Sequence, residues 1–256
     1  MATAIKTVIG TAASGLSPAG IGAAVPSIRT VRAHRPEPRW GPESLRFKEV
    51  EEQLANLHNS LICSMNQLLD LKDLGTGVHS TRLAEWAIRV AQEMGIEESG
   101  LHDIEVAALL HDIGKIGVPD SILNKPGRLD EDEYALMKKH PEYGWAVLRI
   151  LPGLELASLY ILHHHERFDG KGYPGGLQGA EIPIGARIVS VIDAFDAMVS
   201  SRPYRRGLPL EEAIRRLNES SGTQFDPLVV RAFIPLAVAD MDTVFAAAGT
   251  SLSTAL

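Results

Sequence analysis

Cysteine is nearly absent: Cys63 is the only one in 256 residues. That excludes an intrachain disulfide and any zinc site built on several thiolates. It suits a reducing compartment, and the expected location is the cytoplasm. Long hydrophobic runs are also missing. No stretch approaches 18 uninterrupted apolar residues, so no transmembrane helix is expected. Positive charge is scarce as well. The net charge is −7, which lacks the basic footprint of a general nucleic-acid binder. A small anionic substrate in a locally basic pocket remains open. No strand-turn-strand pattern and no internal repeat can be read.

Residues 1–41 are rich in Ala, Gly, Pro, Ser and Thr. The mildly apolar stretch from Val8 to Val25 is broken by Gly10, Gly15, Pro18, Gly20 and Gly22, which makes a poor signal-peptide core. The segment is expected to be disordered, with Arg29, Arg32, Arg35 and Arg39 as solvated charges.

From residue 42 the pattern turns helical. Val50, Leu54, Leu57, Leu61, Met65 and Leu68 recur at three- and four-residue steps. This is read as a core-facing helix over 42–72, with a parallel homodimer seam as the alternative. A second helix is expected from about Ser80 to Met94, stopped by Gly95. A third carries Ile104 to Leu110 into His111-Asp112. The acids at 130–133 mark a helix start. Val147 to Leu162 is helical around a break at Pro152-Gly153. The glycine- and proline-dense stretch between His165 and Pro183 is a loop. Ile188 to Met198 is a buried helix, and Leu210 to Leu217 another. The expected fold class is all-α: one helical bundle over residues 42–235, followed by a flexible tail, 236–256.

The chemistry is concentrated in His79, His111-Asp112, Lys115, His140, the doublet His164-His165, and Asp193. On a helix, His111 and Asp112 point about 100° apart. The pair can hold one ion, or the carboxylate can bridge two. Lys115 lies three residues after Asp112, within reach of an anion held there, and a phosphate oxygen is the natural guest. A metal supplies the nucleophile for phosphodiester hydrolysis by lowering the pKa of bound water from ~15.7 toward ~7. Asp193 follows the apolar run from Ile188 to Ile192, where an unpaired charge is costly. Asp196, one turn later, is read as a partner behind the site or a helix-stabilising residue. His34, His58, His102 and His163 are read as ordinary surface or hydrogen-bonded residues.

The run His111-Asp112-Ile113-Gly114-Lys115 resembles the signature of the HD phosphohydrolase superfamily. The segment from His164 through Gly170, Gly172, Tyr173 and Pro174 resembles its HD-GYP subgroup. So do Ala186-Arg187-Ile188 leading to Asp193, then Asp196-Ala197-Met198, Arg202-Pro203-Tyr204-Arg205, and Gly222 to Pro227. The resemblance spans roughly residues 58–235. It implies a helical bundle with a glycine-rich GYP loop. It implies a phosphodiesterase opening cyclic di-GMP to the linear dinucleotide, and in many members on to GMP. It further implies His79, His111, Asp112 and Asp193 on one metal, and His140, His164 and His165 on another, with Asp112 bridging. Lys115 would contact the scissile phosphate, Arg202 and Arg205 substrate phosphate, and the GYP loop a partner protein. Some members use a Glu four residues before the first His ligand to hold a third metal. Gly75 stands at that position, so two ions are expected, iron or manganese first, with zinc or nickel compatible with the same donors.

Two other readings stay open. One keeps the metals but acts on another cyclic dinucleotide or a nucleotide. The other is a sensor that binds cyclic di-GMP without cleaving it.

Overall fold

The computed structural model describes residues 42–72, 77–200 and 206–247. Residues 48–256 form one unit; of the other, 1–47, only the first residues of a helix are described. The expected disorder of 1–41 lies outside the described residues, as do Gly75, Arg202, Arg205 and the last nine residues.

Among the described residues ten α-helices follow one another: α1 Pro42–Lys72, α2 Gly77–Glu93, α3 Glu98–Leu110, α4 Asp120–Leu123, α5 Glu131–Met137, α6 His140–Leu148, α7 Glu155–His163, α8 Ile184–Val199, α9 Leu210–Ser220 and α10 Pro227–Ala247. Short 3-10 turns occupy Ile113–Gly117 and Gly179–Glu181. Among the described residues the only β pairings are the isolated bridges Asp169–Gln178 and Ser221–Phe225. The all-α expectation holds.

The helices end where local chemistry ends them. Past α2, Gly95 takes φ +74°. Its N–H donates to Gln92 O, and the Ile96 N–H donates to Ala91 O. This crossed pair satisfies the last carbonyls of the helix and needs a left-handed residue. At α5, the Asp130 side chain accepts from the Glu133 N–H while the Glu133 side chain accepts from the Asp130 N–H. Two otherwise unpartnered donors at the helix start are thus satisfied together.

α8 is the axis of the bundle. Ile188, Val189, Val191, Ile192 and Phe195 are all buried, and the helix packs on α2, α3, α7, α9 and α10. Ala84, Ala87 and Ala91 line the buried side of α2 with Leu83 and Val90. Their small size lets neighbouring helices come close. Trp86, Phe195 and Phe233 form an edge-to-face trio with centroids 5.0–5.6 Å apart, joining α2, α8 and α10. Such pairs prefer this tilted geometry because ring edges are positive and faces negative.

Two expectations need correction. The tail expected from 236 onward is helix as far as Ala247. Ala237 is buried, and Asp240 accepts from Trp86 Nε1 at 2.7 Å and pairs with Arg89. The apolar periodicity of 227–237 is therefore core-facing and carries the chain on through Pro235. The stripe on α1 is the second case. Val50, Leu54, Leu57, Leu61 and Leu68 are exposed rather than core-facing. The residues of α1 that reach the core are Ile62 and Leu69, with Met65 packed against them. Helical spacing identifies an apolar face but does not say what covers it.

One glycine fixes the approach of the 3-10 turn Ile113–Gly117 to its neighbour. A Cβ on Gly114 would lie 1.8 Å from His140 O and 2.5 Å from Gly144 N. Both atoms are backbone of α6, so nothing cheap can move. Gly114→Ala should therefore cost about 3 kcal/mol, equivalent to a drop of about 6–12 °C in Tm for a domain of this size. A calorimetric Tm within a degree or two of the parent would refute this close packing.

Candidate metal centre

The HD pair does not lie within a helix, as its spacing suggested. α3 ends at Leu110; His111 is its cap, and Asp112 leads into the 3-10 turn Ile113–Gly117. The tighter three-residue period places Lys115 almost directly over Asp112. Lys115 Nζ lies 2.7 Å from Asp112 Oδ2.

The other candidate histidines with described side chains also sit at helix ends. His140 is the first residue of α6, and His164 caps α7 with His165 following. Asp193 comes from the middle of α8. His79 lies on α2, but its side chain is outside the described set. The structure thus brings His111, Asp112, His140, His164, His165 and Asp193 together, with Lys115 at their edge. Arg202 and Arg205 lie outside the described residues.

Three of these imidazoles are held in the same way. His111 Nδ1 lies 2.9 Å from Ala108 O, His140 Nδ1 2.9 Å from Met137 O, and His164 Nδ1 2.6 Å from Ile161 O. A carbonyl can only accept, so each Nδ1 carries the proton. Each Nε2 is left as the lone-pair atom facing the centre, an arrangement that orients metal-binding histidines.

Asp112 lies between two groups. Its Oδ2 is 3.3 Å from His111 Nε2, which in turn lies 3.8 Å from Asp193 Oδ1. Its other oxygen, Oδ1, is 3.4 Å from His140 Nε2. His140, His164 and His165 each offer one ring nitrogen within 4.8 Å of the others. His140 Nε2 and His164 Nε2 are 3.4 Å apart. Two adjacent lone pairs repel unless a proton or a cation lies between them. The donor set of neutral imidazoles and carboxylates fits first-row divalent ions.

The electrostatics agree with that fit. Burial alone would raise the Asp112 carboxyl, but Lys115, His111 and His140 together hold it well below the usual carboxylate range. Burial pushes His140 down and His164 far down, with neighbouring imidazoles adding to the second shift. His165 is lowered to about 4, first by burial and then by His140. Metal binding requires these unprotonated forms.

Sequence reasoning missed how the surrounding loop is held. Glu166 is buried; its Oε1 accepts from the Gly175 N–H at 2.6 Å and lies 3.4 Å from His163 Nδ1. His163 thus has a structural partner, as its ordinary reading implied. A Cβ on Gly172 would meet Arg167 N at 2.2 Å, so the loop folds tightly onto the Glu166 backbone. The Tyr173 ring then stacks on His165, with centroids 5.0 Å apart. Behind α8, Asp196 is fully buried and pairs with Arg82 while accepting from Ser200 Oγ at 3.1 Å. Arg187 donates to Asp226 at 2.6 Å, which explains why two distant motifs occur together. The only early signal for Glu166 was its place directly after three histidines; its partner lies nine residues away.

The sequence model of the HD domain family matches residues 49–229. The cyclic di-GMP phosphodiesterase of Thermotoga maritima is 48% identical over 192 residues, covering 74% of this chain and 51% of that protein. The 3'3'-cGAMP-specific phosphodiesterase 2 of Vibrio cholerae is 37% identical, covering 71% of this chain and 35% of that one. The chain therefore spans about half the length, or less, of these relatives. Among solved structures, a cyclic GMP-AMP specific phosphodiesterase of V. cholerae superposes with TM-score 0.56 at 21% identity, over 72% of this chain and 49% of that chain. That likeness concerns the fold.

The buried imidazoles make a prediction for metal-free protein. In the unfolded chain a histidine titrates near ~6.5, whereas folded His165 does so near 4. Between these values the unfolded state binds more protons, so stability falls as pH falls. The depressed Asp112 carboxyl acts in the same direction further down. Chelator-treated protein should lose Tm steadily from pH 6.5 toward 4, by up to ~1.4 kcal/mol per pH unit for each such histidine. A melting temperature flat across that window would contradict neutral burial. The matched span, 181 of 256 residues, and the clustering of the signature residues at one centre place this chain in the HD domain family.

Proposed function

We propose that this chain is a metal-dependent phosphodiesterase acting on cyclic di-GMP, opening it to the linear dinucleotide. The observation that carries the reading is Asp112, whose two oxygens face two separate groups of nitrogen and carboxylate donors. We assign His79, His111 and Asp193 to one ion, and His140, His164 and His165 to the other, with Asp112 shared. Iron or manganese is the expected pair. When bound, two such ions would supply a hydroxide nucleophile at neutral pH and neutralise charge on phosphorus.

The chain's own residues do the rest. The Nδ1 hydrogen bonds fix the direction of the histidine lone pairs before any ligand arrives. Lys115, resting on Asp112, is placed to turn its ammonium to the scissile phosphate. Tyr173 covers one face of His165 and limits water on that side. Arg202 and Arg205 are proposed to grip the second phosphate, since a guanidinium can hold two phosphate oxygens at once. The loop from Gly172 to Pro174 is a candidate contact for a signalling protein; Pro174, Gly175 and Gly176 are exposed.

A second reading has its own support: the V. cholerae relative named for 3'3'-cGAMP is also clearly similar. The two substrates differ in one base, so metal chemistry does not separate them. Protein reconstituted with iron or manganese should be incubated with each dinucleotide and the products resolved by chromatography. Faster opening of cyclic di-GMP is the expected result. Preference for cGAMP would favour the second reading, and binding without products would favour a sensor.

Asp112→Ala should abolish turnover and reduce metal content from about two equivalents toward zero. Lys115→Ala should retain metal and lose roughly 10²–10³-fold in kcat, by analogy with removal of one transition-state donor. Wild-type metal content in Asp112→Ala would refute the bridging role.

Arg202→Ala should raise KM for the cyclic dinucleotide while leaving hydrolysis of bis-p-nitrophenyl phosphate nearly unchanged, because that ester has no second phosphate. Equal loss on both substrates would place the arginine at the scissile phosphate instead.

A further inference from the structure

The exposed face of α1 carries a pattern that solvent does not explain. Val50, Leu54, Leu57, Leu61, Leu68 and Leu71 are between 40% and 80% exposed. With Ser64 they step along the chain by 4, 3, 4, 3, 4 and 3 residues. That is an unbroken heptad over three repeats, spanning about 32 Å of helix. A 3.5-residue period keeps one seam facing a partner helix only if the two supercoil. A helix lying on a globular surface has no need to hold it.

The occupant follows from the same pattern. Covering the whole seam takes a helix of equal length and equal apolar period, and among the described helices α1 is the one that has both. We propose that α1 forms a parallel, in-register, two-stranded coiled coil with α1 of a second copy of this chain. The six side chains expose on the order of 650 Å² of apolar-lined surface per copy, above the few hundred Å² usual for one patch on a monomer and near the roughly 800 Å² per partner of a stable complex.

Register and strand number are also set by named residues. Leu54, Leu61 and Leu68 occupy the a positions; Val50, Leu57, Ser64 and Leu71 the d positions. Only in-register parallel packing pairs the single polar seam residue, Ser64, with itself rather than with a leucine. The flanking g-to-e′ pairs would be Gln53 with His58, Ser60 with Met65 and Gln67 with Lys72, so no like charges oppose one another. One flank of the seam is already in use: Met65 packs on the core of its own domain, and Lys72 pairs with Asp120. The surface toward Ile62 and Leu69 lies about 110° around the helix from the seam. Both faces can therefore be covered at once, while the occupied flank leaves room for one partner helix rather than two or three.

The test uses the full chain. Light scattering should give the mass of a dimer at tens of micromolar. Leu54→Glu with Leu57→Glu should give a monomer whose circular dichroism and Tm stay close to the parent, since both leucines are exposed. In a Cys63→Ser background, Ser64→Cys should form an intermolecular disulfide on mild oxidation, and Asn59→Cys, on the outer side of the helix, should not. The cross-link leaves the apolar seam intact, so it decides the matter even if the double glutamate variant misfolds. A monomeric parent would overturn the proposal and point to coverage of the stripe by another part of the chain. A dimer in which Ser64→Cys fails to cross-link would overturn the parallel register.

Discussion

Three hydrogen bonds of one kind decide what this molecule can do. His111, His140 and His164 each give the Nδ1 proton to the carbonyl three residues earlier. That contact is available at a helix end, where the last carbonyls or a preceding turn's carbonyls have no backbone donor above them. It fixes the tautomer, aims Nε2 inward and lets several neutral imidazoles crowd together, each with its proton turned away on Nδ1. The cost is electrostatic: buried lone pairs face one another, as in His140 and His164 at 3.4 Å. A cation removes that cost, and the Lys115 ammonium beside Asp112 partly offsets it in the meantime.

The scaffold behind the centre rests on buried acidic groups held by specific contacts. Asp196 is tied to Arg82 and Ser200, Asp226 to Arg187, and Glu166 to the loop at Gly175. Removing one member of such a pair leaves a buried charge uncompensated, which typically costs 3–5 kcal/mol. These residues belong to the same sequence motifs as the candidate ligands, yet they hold helices and loops in position. Motif membership alone therefore does not separate the two roles; contact geometry does. Asp193 and Asp196 show the difference. They lie three residues apart on α8, one facing His111 and the other facing Arg82.

Much of this was legible in the residues. The helix boundaries at Gly95 and Asp130 follow from local chemistry, and six of the residues singled out by type, His111, Asp112, His140, His164, His165 and Asp193, do meet at one centre. Three things were not. The helix break at Leu110 was hidden because His111 and Asp112 suit a helix as well as a turn. The reach of α10 was hidden because Ala- and Val-rich sequence after residue 236 looks featureless until Trp86 and Arg89 are seen to hold Asp240. The direction of α1 was hidden because Ile62 and Leu69, its true core residues, are outnumbered by the leucines of the opposite stripe.

α1 is also joined to the centre. Lys72, in its last turn, donates to Ile116 O at 3.3 Å and pairs with Asp120 at 2.9 Å. Ile116 directly follows Lys115 in the same 3-10 turn, and Gly114 in that turn is wedged against the His140 carbonyl. A displacement of α1 along its axis would therefore load a short, closely packed turn that has little room to deform. Asp112, which faces both donor groups, precedes that turn, and Lys115 lies at its middle. A supercoiled pair of α1 helices would hold that turn at one fixed height in both copies. The helix that looks most peripheral in the chain thus touches the turn that carries the lysine, through Lys72 and the Ile116 carbonyl.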